Sequence, residues 1–134
     1  MNPKHVGDLS EAMILSRLLR LGRAVSKPIG DNQRYDFVID EGDGSFNRVQ
    51  CKTGRILDGA VRFPTCSTRS SGAKAGKHFN YKGQIDAFAI YCPDNDKCYM
   101  IGVDEVGTRE GSLRLEDTKN GQAVGVRWAG LFEI

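Results

Sequence analysis

The sequence predicts an α/β fold, and three observations predict it. An amphipathic run opens the chain at about residues 6–21. Two strand-forming runs, at about 35–40 and 47–53, follow with a glycine-containing turn between them. A further pair of such runs stands at about 84–92 and 97–103. A chain of 134 residues, 40% of them hydrophobic, is long enough to bury one core and short for two, so one domain spanning residues 1–134 is expected.

The first run reads as a helix with Asp8 and Ser10 near its start and Gly22 placed to end it in a left-handed cap. At about 100° per residue, Leu21, Ile14, Leu18, Leu15, Leu19 and Ala12 fall on one face and Ser16, Arg20, Arg17 and Ser10 on the other. Glu11 falls in the middle of the apolar arc. A carboxylate there is expensive unless it is paired, protonated or bound to a cation, because desolvation penalises its charged form. A salt bridge or a capping contact is the plain explanation, and a functional role is the other.

Gly30, Asp31 and Asn32 punctuate, and the aromatic and β-branched residues of 35–40 then read as a strand. Glu41, Gly42, Asp43 and Gly44 close it, and the strand at 47–53 is expected to pair back antiparallel. Side chains alternate along a strand, so Gln50 and Lys52 project from one face, and Asp36 on the neighbouring strand reaches the same edge. Glu11 joins them if the helix packs its apolar face over the sheet.

Residues 54–82, rich in Gly, Ser and basic side chains and without periodicity, read as a flexible loop. A third, largely buried strand is expected at 84–92, a turn at Pro93–Asp96, a fourth strand at 97–103 and a helical turn at Asp104, Glu105 and Val106. One more strand or short helix, packed through Trp128, is expected at about 124–132.

The formal charge of +2 says little, but its distribution is uneven. In the 54–82 stretch Arg55, Arg62, Arg69, Lys74, Lys77 and Lys82 meet one acid, Asp58, whereas acids outnumber bases after Val103. Such a stretch suits phosphate contacts, which neutralise and position a nucleic-acid backbone without reading its bases. A solvated loop is the plain alternative. Phe63, Phe79 and Tyr81 are expected to anchor it rather than to stack on bases.

Several classes are disfavoured. No apolar run is long enough for a membrane helix, and the first residues lack the pattern of a signal peptide, so a cytoplasmic protein is expected. Cys51, Cys66, Cys92 and Cys98 show no zinc-site spacing, and reduced, buried thiols are the simplest expectation, with a Cys92–Cys98 bond across a hairpin as the alternative. The run Gly72–His78 is one residue short of a phosphate loop and lacks its hydroxyl. No histidine and acid stand ready to activate a serine.

A cluster of carboxylates, an amide oxygen and a lysine amine is what metal-assisted phosphodiester hydrolysis needs, because hard cations such as Mg²⁺ take oxygen ligands and bridge the phosphate. Glu11 on a helix, Asp36 on a strand, and Gln50-Cys51-Lys52 after a hairpin resemble the PD-(D/E)XK nuclease superfamily, particularly its Holliday-junction-resolvase-like and homing-endonuclease-like members. The resemblance covers residues 5 to about 103. It implies a restriction-endonuclease-like central mixed β-sheet flanked by α-helices, cleavage of DNA, Mg²⁺ with Mn²⁺ as substitute, and a homodimer or higher homo-oligomer. It also implies that Asp36, Gln50, Glu11 and the backbone carbonyl of Cys51 hold the metal and that Lys52 handles the attacking water.

Two positions depart from the pattern: Tyr35 stands where proline is usual, and Gln50 where an acid is. An amide brings no charge and so binds the metal more weakly than a carboxylate, although Gln-x-Lys resembles an active branch of the superfamily. The alternatives are a catalytically inactive nucleic-acid-binding module of the same fold and a structural domain in which these side chains are ordinary surface polars.

Overall fold

The computed structural model describes residues 1–30, 32–68, 72–73, 75–118, 120–121 and 124–134. Asp31 of the expected turn, and Arg69 and Lys74 of the basic stretch, lie outside the described residues.

The opening helix, α1, spans Pro3–Arg20 and starts earlier than the expected residue 6. Asn2 caps it, its side chain accepting the His5 N–H at 2.9 Å, and Pro3 fills the first position, where a missing N–H does no harm. Gly22, at φ +76°, ends it as expected: the N–H groups of Gly22 and Arg23 return to the carbonyls of Leu19 and Leu18. Its buried face is narrower than the apolar arc. Ser10, Ile14 and Leu18 are buried at a spacing of four, while Ala12, Leu19 and Leu21 are exposed. Ser10, expected on the polar side, shares a 2.5 Å hydrogen bond with the Thr53 hydroxyl, which satisfies both groups where helix and sheet meet.

Five strands form the main sheet: β1 (Ala24–Ser26), β2 (Phe37–Asp40), β3 (Phe46–Thr53), β8 (Ala87–Cys92) and β9 (Lys97–Gly102), in the order β1-β2-β3-β8-β9. β2 pairs with β3 as the expected antiparallel hairpin, β8 runs parallel to β3, and β9 returns antiparallel, so the sheet is mixed. Every residue of β8 is buried, because both faces of the sheet are covered at its centre. On one side α1 packs Ile14 and Leu18 against Phe37, Ile39, Val49, Ala89 and Tyr91.

The other face departs from expectation. It is covered by strands rather than by helices, and α1 is the one α-helix among the described residues. The 54–82 stretch, expected as a loop, folds as β4 (Arg55–Leu57), β5 (Ala60–Pro64), β6 (Cys66–Thr68) and β7 (His78–Asn80). β4 and β5 join β10 (Glu110–Arg114) in a second sheet, order β10-β5-β4, while β6 and β7 pair separately. Val61, Phe63 and Leu113 of the second sheet pack on Phe88, Ile90 and Tyr99. Gly54 allows this close approach, since a Cβ there would lie 2.8 Å from both Ile90 and Val61.

The turn at Val103–Glu105 is a 3-10 helix as expected. Near the C-terminus a short 3-10 helix, Ala129–Leu131, follows a half-buried Trp128, but the buried residue there is Ala129. Cys92 faces Lys97 and Cys98 faces Tyr91 across the β8–β9 pair, so the two cysteines do not oppose each other, and all four thiols are free. No described helix is long and apolar enough to cross a membrane.

Candidate active site

Asp36 sits just before β2, where its backbone N–H donates to the Val49 carbonyl. Its Oδ2 accepts the N–H of Cys51 at 2.8 Å, which fixes the carboxylate to the middle of β3. Burial pushes the Asp36 carboxyl above its ordinary value, the Cys51 N–H pulls it back, and the charge of Glu11 raises it further. The same surroundings push the Cys51 thiol well up, burial first and the Asp36 and Glu11 charges next. Cys51 therefore brings no thiolate to the site.

Glu11 and Asp36 line one cleft of about 670 Å³, together with Lys4, Lys27, Pro28, Gly30, Gln33 and Tyr35. The half-buried Glu11 carboxylate is 2.8 Å from Lys27 Nζ, and this hydrogen-bonded pair holds the lysine above its ordinary value. The paired explanation for a glutamate among apolar helix residues is thus present in the structure.

The strand period sends Gln50 and Lys52 to the other face. Val49 and Cys51 pack with α1, and Thr53 bonds Ser10, whereas Lys52 Nζ reaches the Tyr81 hydroxyl at 3.1 Å and the Cys66 carbonyl at 3.3 Å. Gln50 Nε2 donates to the Cys51 carbonyl at 3.3 Å. Sequence reasoning expects Glu11 to join the face that carries Gln50 and Lys52, and the structure corrects this: α1 packs on the opposite face. Asp36 is the link: it shares the cleft with Glu11, is hydrogen-bonded to Cys51, and feels the Lys52 charge.

Among the described residues, no three His, Cys, Asp or Glu side chains gather closely enough to hold a metal. Asp36 and Glu11 bring two carboxylates to one cleft, and Gln50 and Cys51 stand on the strand to which Asp36 is hydrogen-bonded. An all-oxygen set of this kind fits a hard divalent cation that keeps several waters. The unfavourable charge on Asp36, raised by burial and by Glu11, is of the sign that a cation relieves.

Of the expected phosphate-contacting residues, Arg55 and Arg62 lie on β4 and β5 as direct cross-strand partners. Lys77 is exposed just before β7, and Lys82 is tied to Asp104 at 3.3 Å and to the Val103 carbonyl.

Sequence reasoning missed three neighbours of the site. Lys27 arrives from beyond β1. Tyr81, 4% exposed, holds Lys52. Arg34 stacks 3.9 Å over the Tyr81 ring and donates to Gln84, Ser67 and the carbonyls of Phe79 and Asn80. Tyr81 was legible as an anchor, and an arginine two residues before Asp36 was a weak pointer to Arg34. Nothing in the spacing announced Lys27.

Comparison with solved structures finds the same fold in a bacterial homing endonuclease, with a TM-score of 0.76 at 24% identity over 99% of this chain and 89% of that one. The curated proteins offer no sequence match. A family model described as PD-(D/E)XK endonuclease matches residues 1–134, the stretch that carries Glu11, Asp36, Gln50 and Lys52 in the arrangement above, and the chain belongs to that family.

Proposed function

We propose that the chain is a metal-dependent endodeoxyribonuclease that hydrolyses DNA phosphodiester bonds, with Mg²⁺ as its ion and Mn²⁺ as a substitute. The observation that supports this best is the placing of Asp36. Its carboxylate is partly desolvated, faces Glu11 in one cleft, and is tied by the Cys51 N–H to the strand that carries Gln50 and Lys52.

The Asp36 and Glu11 carboxylates, the Gln50 amide oxygen and the Cys51 carbonyl are the groups that would hold the ion. Bound there, it supplies Lewis-acid polarisation of the phosphoryl oxygen and a more acidic water. Lys52, held by Tyr81 and Cys66, offers a fixed ammonium to offset charge that develops on phosphorus and to orient the water. The chain presents one such site, so cutting both strands of a duplex uses two copies, and a homodimer fits this use. The cytoplasm, where DNA is at hand, is the proposed setting.

The test is incubation of the purified protein, beside Asp36→Ala and Lys52→Ala, with labelled duplex, four-way-junction and single-stranded DNAs in Mg²⁺, Mn²⁺ or chelator. Metal-dependent cutting by the parent that both variants lose is the expected outcome. A duplex target site comes first because the fold neighbour is a homing endonuclease. Two observations favour a second reading, an inactive binding module: an amide stands at position 50, and Lys27 already neutralises Glu11. Salt-sensitive DNA binding without cutting on any substrate or metal would select it.

A further inference from the structure

Beyond the end of β3 lies a hollow of about 590 Å³ lined by Thr53, Gly54, Arg55, Arg62, Phe63, Pro64, Arg109 and Glu110. Three arginines line it against one glutamate, an excess of two positive charges. Arg55 and Arg62 are paired directly across β4 and β5, so their side chains share a face, and like charges placed opposite each other are destabilising. The one acid present gives little relief, since Glu110 comes no closer to Arg62 than 4.0 Å. Arg62 Nε is shielded from solvent and has no hydrogen-bond partner among the described residues. An unpaired donor in such a place is costly unless something supplies an acceptor.

The hollow is built from fixed backbone. Thr65, 1% exposed, pins the loop before β10 twice: its N–H donates to the Arg109 carbonyl at 2.9 Å and its hydroxyl to the Gly107 carbonyl at 2.6 Å. Gly54 N–H donates to the Tyr91 carbonyl at 2.8 Å, which holds the start of the second sheet to β8. Thr53 and Gly54 directly follow Lys52. At about 3.3 Å per residue, Thr53 and Gly54 on the rim of the hollow lie roughly 3 and 7 Å along the chain from the active-site lysine. Each DNA strand advances about 3.4 Å per nucleotide, so this offset corresponds to about one or two nucleotides.

We propose that Arg55, Arg62 and Arg109 form a phosphate-binding subsite for the DNA strand, engaging a backbone phosphate that flanks the one at the active site. The inference deepens the endonuclease reading and rests on it. It adds Arg109 to the binding residues and sets the arginine row apart from Lys77 and Lys82 as a unit around one anion. The guanidinium fork suits the task, because it presents several donors to phosphate oxygens in a fixed plane. Glu110 then opposes binding, since its carboxylate faces the same hollow.

The test is fluorescence anisotropy of a labelled mixed-sequence duplex with the full chain in chelator, so that cleavage plays no part, over a series of salt concentrations. Arg109→Ala and Arg62→Gln are each expected to weaken binding several-fold and to lower the slope of log K against log salt by about one. Glu110→Gln is expected to tighten binding, a gain that a damaged fold would not produce. If the parent binds DNA with ordinary salt dependence while all three variants match it in affinity and slope, the subsite is wrong and the endonuclease reading stands. If the parent shows no salt-dependent DNA binding, both fall.

Discussion

Asp36 Oδ2 accepts the backbone N–H of Cys51 at 2.8 Å, and through that bond the carboxylate that lines the cleft is attached to the strand that carries Gln50 and Lys52. Burial is the main reason that its carboxyl lies above the ordinary value of 3.8. A folded-state value raised in this way means that the fold binds the proton more tightly than the unfolded chain does. The associated stability is complete below about pH 3.8 and is lost as pH rises through the raised value. Asp36→Asn, whose amide oxygen can still accept from Cys51, should therefore melt at a higher temperature than the parent near pH 7 in chelator. The gap should close towards pH 4, while DNA cutting is abolished. Thermal melts across that range check it, and an asparagine variant less stable at neutral pH would count against the strained carboxylate.

Asp86 behaves in the opposite sense. Its carboxylate accepts from Arg48 three times, at 2.7 Å from the backbone N–H and at 3.1 and 3.2 Å from the guanidinium, and this partner holds its carboxyl below the ordinary value. Its contribution is present above about pH 3.8 and is lost as pH falls through the lowered value. Both side chains are more than a third exposed, so the charged part is worth less than about 1 kcal/mol. Asp86→Asn should lower stability slightly at pH 7 and flatten the acid limb of a urea-stability profile. An unchanged limb would mean that other carboxylates govern acid unfolding.

Where the sequence was legible, a local pattern and the tertiary structure agreed. The hairpin of β2 and β3, the buried β8 and the cap at Gly22 all followed from alternation, apolar runs and glycine chemistry. The 54–82 stretch lacks a readable period because its strands are three to five residues long, their burial does not alternate cleanly, and basic residues such as Arg55 and Arg62 fall within them. The apolar arc of α1 is wider than the face it buries, because periodicity does not show how much of a stripe a five-stranded sheet covers. For the site, the shared face of Gln50 and Lys52 follows from the strand period, whereas Asp36 lies just before β2 and shares its cleft with Glu11. The division of Glu11 and Lys52 between opposite faces, and the arrival of Lys27 and Tyr81, depend on packing between distant segments.

Gly111 tests that packing directly. It pairs with Phe63 across β10 and β5, and a Cβ there would lie 2.3 Å from the Phe63 ring, which is 2% exposed. The ring cannot swing away without disturbing the core it shares with Phe88, whose ring centroid is 6.2 Å distant. Gly111→Ala should cost about 1–3 kcal/mol, as overpacking of a filled core does, and lower the Tm by several degrees. A variant that melts with the parent would mean that the second sheet is held more loosely than its contacts indicate.

Tyr81 carries a prediction about Lys52. The phenol oxygen accepts from Nζ at 3.1 Å, the ring face lies 4.8 Å from the same ammonium, and Arg34 stacks on the ring. Tyr81→Phe keeps the ring and removes one hydrogen bond, so it should act by positioning. We expect kcat for DNA cutting to fall by roughly three- to tenfold, equivalent to about 1 kcal/mol, with KM little changed. Steady-state kinetics on the DNA that the parent cuts best in the panel above decide it, and a rise in KM alone would place Tyr81 in DNA binding instead.

Lys27 bears on the metal. Its ammonium, 2.8 Å from a Glu11 carboxylate oxygen and 5.8 Å from the centre of the Phe37 ring, neutralises one of the two carboxylates that face the cleft. A divalent cation that takes Glu11 as a ligand must displace that ammonium or bind beside it, and either route is opposed by like charge. The lysine is more than half exposed, so the penalty is at the scale of a surface ion pair, below about 1 kcal/mol. Lys27→Met keeps the aliphatic contact with Phe37 and removes the charge. Titration calorimetry with Mn²⁺ should then show binding tightened by about two- to fivefold relative to the parent, and Glu11→Gln should remove most of that gain. If Lys27→Met binds Mn²⁺ no better than the parent, Glu11 does not contribute to the metal site and its role reduces to the ion pair.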